Sequence, residues 1–257
     1  MTPLWASLVI AGAFGLCIGS FLNVCIYRLP RGESLVHPRS RCTTCGRTLS
    51  WFDNIPVVSW AVQRGRCRTC GQRVSVMYPA VEVVTALTFV LLYAFYGPTP
   101  LGLVRTVFAC ALIVLFVTDL QHKILPNSIT LPGIVVGFVC SFFLPPGWRD
   151  SLIGLVVGGG VLFAIAEAYY RVRGQEGLGM GDVKLLAMIG AFLGWKLVLL
   201  TLVLASFAGS LAGGALILSG RGDMKYALPF GTFLAVGALF AAMWGDPIVD
   251  WYFGFYQ

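Results

Sequence analysis

Long apolar runs separated by short polar segments recur along most of the 257 residues of this chain. An α-helix needs about 20 such residues to cross the hydrocarbon core of a bilayer. The pattern predicts an all-α polytopic membrane protein with about eight transmembrane helices. The sixth run is short and meets the seventh at Gly194-Trp195-Lys196, so a count of seven stays open. We place the runs near 4–26, 79–96, 101–118, 128–145, 151–170, 183–195, 197–218 and 228–244.

The composition agrees with this pattern. Hydrophobic residues make up 58% of the chain and charged residues only 11%, whereas about a quarter of the residues of a soluble domain are charged. The first run begins at residue 4, with no basic segment before it and no clear small-residue cleavage site. We therefore interpret it as a retained helix and not as a signal peptide.

The distribution of basic residues predicts the orientation of the helices. Nine of the 18 lysines and arginines lie between the first and second runs: Arg28, Arg31, Arg39, Arg41, Arg47, Arg64, Arg66, Arg68 and Arg73. The positive-inside rule places this loop in the cytoplasm and the N-terminus outside. Alternation then places 119–127, 171–182 and 219–227 inside. The loop lacks the aromatic platform of a nucleic-acid site, and we expect it to contact anionic lipid headgroups instead.

The same loop contains two paired cysteine motifs, each followed by glycine. Cys42 and Cys45 form the first pair and Cys67 and Cys70 the second, with 21 residues between the pairs. Four thiolates at this spacing can close a tetrahedron around one zinc ion. A pair of disulfides is the alternative, but cytoplasmic thiols stay reduced. A closed shell of four sulfurs leaves no open position, so the predicted zinc is structural.

Two aspartates at the ends of apolar runs are the candidate catalytic residues. Asp119 closes the third run and Asp182 opens the sixth, and the predicted orientation puts both at the cytoplasmic end. Charged groups near a membrane segment are costly and are often functional. Two carboxylates that meet can share a proton and activate a water molecule. The alternative is that each is a solvated acid at a helix end, with Asp182 favoured there by the helix dipole.

The residues around these aspartates resemble the type IV prepilin peptidases, which are polytopic aspartic proteases of the GxGD type. Gly179 and Gly181 precede Asp182 in the GxGD pattern and are the candidate supporting residues of the catalytic loop. Met77 departs from the family, in which an Arg is expected before the Tyr-Pro pair. The resemblance rests on Glu176-Gly177-Leu178-Gly179-Met180-Gly181-Asp182-Val183-Lys184, Asp119-Leu120-Gln121-His122-Lys123-Ile124-Leu125-Pro126, Gly19-Ser20-Phe21-Leu22-Asn23-Val24, Asn54-Ile55-Pro56, Ser59-Trp60 and Tyr78-Pro79-Ala80-Val81-Glu82.

The resemblance implies an enzyme of the bacterial inner membrane whose active site faces the cytoplasm. Its expected substrates are prepilins and pseudopilins, cut between a short basic leader and a hydrophobic helix. Family members with this cysteine-bearing loop also methylate the new N-terminal amine, with S-adenosylmethionine as methyl donor. The chain has no glycine-rich fingerprint that would point to residues binding this donor.

We divide the chain into a first helix (1–27), a cytoplasmic zinc-binding domain with the four cysteines (28–78) and a helical peptidase domain (79–257). Two other functional classes stay open at this stage. The acids of a transporter would form an ion relay, but both candidate acids lie at one membrane boundary. A non-enzymatic zinc-ribbon component of a secretion apparatus would need the loop but not both aspartates. His37 and His122 lack metal-ligand spacing, and no HExxH motif is present.

Overall fold

The computed structural model describes residues 3–174, 179–219 and 228–254. Regular structure within these ranges is helical, which confirms the predicted all-α class. Six of the helices in these ranges are long and apolar enough to cross a membrane, and Val58–Val62 and Asn127–Cys140 are shorter. Three residues of the family motif lie outside the described residues: Glu176, Gly177 and Leu178. Residues 220–227 of the segment that was predicted to lie inside are also outside them. The helices are α1 (Leu4–Arg28), α2 (Val58–Val62), α3 (Met77–Tyr96), α4 (Pro100–His122), α5 (Asn127–Cys140), α6 (Trp148–Arg173), α7 (Met180–Leu218) and α8 (Phe230–Gly254).

The chain divides into two compact units, Met1–Val114 and Leu115–Gln257. In the first unit α1 packs against α3 through a face of small residues. A Cβ added to Gly19 would lie 2.7 Å from the Cα of Glu82, so only glycine allows the two helices to approach this closely. Small residues at such crossings are typical of membrane helices. The cysteine-bearing segment connects α1 to α3.

In the second unit α7 reverses direction at Gly194, whose φ of 82° and ψ of 174° interrupt the helix. Asp182 lies beside Gly231 at the start of α8. Gly213 contacts Leu228, which lies three residues before Gly231 in the chain. In one straight helix Asp182 and Gly213 would be about 47 Å apart. Residues 180–193 and 195–218 are therefore two antiparallel limbs of a helical hairpin. This confirms the predicted break and supports the count of eight membrane helices.

The first limb of α7 is the central helix of this unit. It is buried on nearly all sides, as expected for a helix that is apolar around its whole circumference. The Ser151 hydroxyl of α6 donates to the Ala191 carbonyl at 2.7 Å, and Lys184 donates to Asn127 of α5 at 2.9 Å. These contacts hold the limb on two sides and so fix the position of Asp182 at its beginning.

Candidate active site and metal centre

Asp119 lies in the last turn of α4 and is only 5% exposed. Its Oδ2 atom accepts two hydrogen bonds from Thr232 in the first turn of α8. The Thr232 backbone N–H donates at 2.7 Å and the Thr232 hydroxyl at 3.0 Å. The carboxylate is therefore held by a single residue 113 positions away in the chain.

Asp182, in the first turn of α7, lies on the other side of the same turn of α8. The backbone N–H of Gly231 donates to its carboxylate, and Asp119 is close enough to interact with it electrostatically. A Cβ added to Gly231 would lie 3.0 Å from Oδ2 of Asp119 and 3.1 Å from Oδ1 of Asp182. The structure thus brings the two sequence-predicted aspartates together across one glycine.

The start of α8 holds both carboxylates for a general physical reason. The first amides of a helix have no intrahelical acceptor, and the helix dipole favours negative charge there. Gly231 and Thr232 supply these amides, and neither was identified from the sequence. The signal that could have revealed them is the Pro229-Phe230-Gly231-Thr232 segment at the start of the last apolar run.

The other residues named near the aspartates have distinct positions. A Cβ added to Gly181 would come within 3.1 Å of Leu125, so its small size permits close contact with the segment after α4. Gly179 precedes α7 with an ordinary extended backbone, and the Asp182 N–H donates to its carbonyl. Lys123 contributes positive charge near Asp119. His122 is exposed to solvent.

The four motif cysteines form a separate cluster in the first unit, the candidate metal centre. Their sulfur atoms all lie within 4.8 Å of one another, and the Cys42 and Cys70 sulfurs are 3.9 Å apart. A tetrahedral shell with zinc–sulfur bonds of about 2.3 Å has sulfurs about 3.8 Å apart. All eight cysteines lie in the described ranges, and none is in a disulfide. The donor set therefore fits a metal ion such as zinc.

Each cysteine pair lies in a small hairpin that favours thiolates. The Cys70 backbone N–H lowers the pKa of the Cys67 thiol to about 6, and the Cys45 N–H likewise lowers the pKa of Cys42. A hydrogen bond from the Gln72 N–H also lowers the pKa of the Cys70 thiol. Desolvation and the neighbouring thiols outweigh it and raise the pKa of Cys70 to about 11. Metal binding would supply the positive charge that lets all four sulfurs ionise together.

Asp53 connects the two hairpins beside this cluster. Its side chain is 4% exposed and pairs with Arg47 at 3.1 Å and with Arg68 at 3.4 Å. Arg47 belongs to the first cysteine hairpin and Arg68 to the second. Gln63 also donates to the carboxylate at 3.1 Å. Asp53 therefore holds the two halves of the cluster in register.

Comparisons with known proteins match both parts of the chain. Residues 13–96 match the bacterial peptidase A24 N-terminal domain, and residues 106–214 match the type IV leader peptidase family. No solved structure matches the chain.

Several curated relatives are similar over most of the chain, and each is named prepilin leader peptidase/N-methyltransferase. A protein of Pseudomonas putida is 37% identical over 94% of this chain and 92% of its own length. One from Myxococcus xanthus is 42% identical over 84% of this chain and 64% of its own length. One from Aeromonas salmonicida is 34% identical over 96% and 94%.

Proposed function

Because the chain belongs to the type IV leader peptidase family, we propose that Asp119 and Asp182 are the catalytic pair of a membrane-embedded aspartic endopeptidase. The enzyme cleaves prepilin leaders and N-methylates the new terminus, in line with the name of its relatives. The observation that carries the assignment is the meeting of two carboxylates across Gly231. The comparisons do not favour the transporter and adaptor alternatives.

In the proposed mechanism one carboxyl of the pair is protonated and the other is ionised. The ionised group takes a proton from water, which attacks the carbonyl carbon of the scissile peptide bond. The protonated group donates to the developing oxyanion and later to the leaving amine. The Gly231 and Thr232 donors hold both carboxylates beside the start of α8. Since the groups interact, the pH–rate profile should be bell-shaped, with two apparent pKa values that belong to the pair.

The proposed substrates are prepilins and related pseudopilins, which have a short basic leader followed by a hydrophobic helix. Both aspartates lie at the ends of apolar helices. A substrate anchored by its own membrane helix would therefore present its leader junction at the level of the pair. The direct test is to incubate the purified protein with a prepilin and S-adenosylmethionine and to measure the product mass. The expected product lacks the leader and carries one added methyl group.

We also propose that the aspartate pair faces the cytoplasm of a bacterial inner membrane. Within the second unit, Lys123, Arg171, Arg173 and Lys184 lie at the end of the helices that bears the aspartates. Arg149 and Lys196 lie at the opposite end, where α6 begins and α7 reverses. The positive-inside rule therefore supports the orientation that was predicted from the arginine-rich loop of the first unit.

Labelling of single introduced cysteines can test this topology in a background without other reactive thiols. The cysteines replace Gln121, Ser219 and Asp250, one in each variant. All three positions are exposed and lie at helix ends. A membrane-impermeant maleimide should label Gln121→Cys and Ser219→Cys only from the cytoplasmic side, and Asp250→Cys only from outside. Labelling of Ser219→Cys from outside would mean that α7 crosses the membrane once and that the hairpin is wrong.

We propose that Cys42, Cys45, Cys67 and Cys70 hold one structural zinc ion in a cytoplasmic domain spanning 28–78. Four sulfurs complete a tetrahedral shell, so the ion would stabilise this segment without binding substrate. A segment of this size has a small core and gains much of its folding free energy from the metal.

The double variant Cys42→Ser/Cys70→Ser should lose its zinc, which is expected at about one ion per wild-type chain. Elemental analysis of the purified protein measures this loss, and limited proteolysis should show faster cleavage within 28–78. Cys17→Ser changes an exposed cysteine outside the cluster and should keep both properties. Wild-type zinc content in the double variant would contradict the site. Part of the peptidase activity should survive, because the aspartates belong to the other unit.

A further inference from the structure

The segment 51–62, between the two cysteine pairs of the first unit, presents apolar side chains on its outer surface. Trp51 is 77% exposed and Val62 is 69% exposed, and two further apolar residues between them are exposed as well. These side chains play no part in the aspartate site or in the cysteine cluster. We call the four of them the apolar face: Trp51, Ile55, Val58 and Val62.

The polar groups of the same segment point the other way, towards the interior of the unit. The indole N–H of Trp60 in α2 donates to the Val74 carbonyl at 3.2 Å. Gln63, directly after α2, donates to the buried Asp53 at 3.1 Å. The two valines of the apolar face in α2 lie four residues apart and so share one side of the helix. A helix on the surface of a water-soluble domain has the opposite arrangement, with apolar residues inside. The arrangement in α2 therefore indicates apolar surroundings on its outer side.

Hydrogen bonds hold this segment beside the membrane helices of the first unit. The Glu82 carboxylate of α3 accepts the Val57 N–H at 2.7 Å, and the Ser20 hydroxyl of α1 forms another hydrogen bond to it. Ser20 lies eight residues before the last residue of α1, Arg28, which corresponds to about 12 Å along the helix. The headgroup layer adds only about 5–8 Å to each side of the hydrocarbon core. The segment therefore reaches the boundary of the core and does not lie beyond the ends of the helices.

The charges next to the apolar face suit an anionic lipid surface. Asp53 is the only acid between Trp51 and Arg66 in the sequence, and it is buried and paired with two arginines. Arg64 and Arg66 follow α2 and are exposed. Long arginine side chains reach headgroup phosphates from an apolar surface, and tryptophan favours the membrane interface. A basic prepilin leader fits this surface poorly, because the same arginines would repel it.

We propose that the apolar face inserts into the lipid leaflet next to the cysteine-bearing segment, which is the cytoplasmic leaflet in the proposed orientation. The contact goes beyond attraction of the arginine-rich loop to headgroups, because four apolar side chains leave water. It positions the cysteine-bearing segment against the bilayer in addition to its covalent connections to α1 and α3. The inference rests on the crossing of the membrane by these two helices and does not depend on the catalytic role of the aspartates.

Photocross-linking of the full-length protein in nanodiscs of phosphatidylethanolamine and phosphatidylglycerol tests the insertion. The photoreactive residue p-benzoylphenylalanine replaces Val62 in one variant and Thr43 in the control. Thr43 is an exposed polar residue of the first cysteine hairpin. Mass spectrometry should find lipid adducts on the peptide that contains position 62. They should be at least about tenfold more abundant than adducts at position 43, since burial of one valine side chain corresponds to about tenfold or more in an equilibrium constant.

Two results of this experiment would overturn the proposal. The first is a yield of lipid adducts at position 62 that is no higher than at position 43, which would mean that the apolar face stays in water. The second is cross-linking of position 62 mainly to added prepilin or to a second copy of the chain. That result would make the apolar face a docking surface for protein.

Trp51→Phe allows a second measurement that needs no bulky label. The difference in fluorescence between the wild type and this variant isolates Trp51 among the seven tryptophans of the chain. Lipids brominated near the headgroup end of their acyl chains should quench this difference signal, and aqueous iodide should leave it nearly unchanged. Quenching by iodide without quenching by the brominated lipids would overturn the proposal. Neither measurement uses catalytic activity, so both can be read even if the proposed function fails.

Discussion

Asp119→Asn and Asp182→Asn should each reduce prepilin cleavage at least about a thousandfold, within the range that general acid–base catalysis supplies. An amide cannot take a proton from water, and it cannot share one with the partner carboxyl. The amide oxygen can still accept the Thr232 or Gly231 N–H, so the start of α8 should stay in place. The measurement is the initial rate of leader release from a purified prepilin in detergent.

Asp246→Asn is the matched control for these variants. Asp246 is an exposed aspartate towards the far end of α8, and its amide variant should cleave at the wild-type rate. Melting temperatures should be similar for all three variants. A well-folded Asp119→Asn or Asp182→Asn protein that retains a tenth of normal turnover would exclude the catalytic pair.

Gly231→Ala should reduce cleavage about a hundredfold although both aspartates remain. The new methyl group would lie 3.0 Å from Oδ2 of Asp119, 3.1 Å from Oδ1 of Asp182 and 2.9 Å from Cδ1 of Leu125. These separations are shorter than ordinary contacts, so the carboxylates must move apart, and displacement by about 1 Å can cost a hundredfold in rate. The kinetic measurement is the same initial rate, with prepilin concentration varied to separate kcat from KM.

Gly160→Ala provides the control for this substitution. Gly160 lies in α6, and a Cβ there would meet no atom within 4 Å. The variant should cleave normally, which would exclude a general effect of alanine in a membrane helix. Wild-type kcat in Gly231→Ala would show that the carboxylates do not depend on the space at this glycine.

The arrangement of the helices could be predicted well from the sequence because the bilayer restricts it strongly. Apolar runs near 20 residues become helices, since every backbone group must be hydrogen-bonded internally in lipid. The junction at Gly194 was visible as Gly194-Trp195-Lys196 between two apolar runs. The positive φ at Gly194 is one that glycine adopts easily. Parity along these helices placed Asp119 and Asp182 at the same end.

The details of the site could not be predicted in the same way. Thr232 meets Asp119 across 113 positions, and no local pattern identifies which helix start will supply a donor. Glu82 belongs to a segment that carries the family resemblance, but the hydrogen bond that its carboxylate accepts from the Val57 N–H depends on the path of the loop between α1 and α3. Such contacts arise from tertiary packing, and periodicity carries no information about them.

The lengths of α5 and of the first limb of α7 make this enzyme sensitive to bilayer thickness. Each has 14 helical residues and extends about 21 Å, compared with a hydrocarbon core of about 30 Å. The two lie side by side, with Gly133 and Gly137 of α5 against Met188 and Phe192 of α7. Acyl chains beside the exposed side of α5 must shorten or bend, and such hydrophobic mismatch is relieved by local thinning. Lipids with shorter chains should therefore suit the part of the second unit in which α5 and the first limb of α7 position the aspartates.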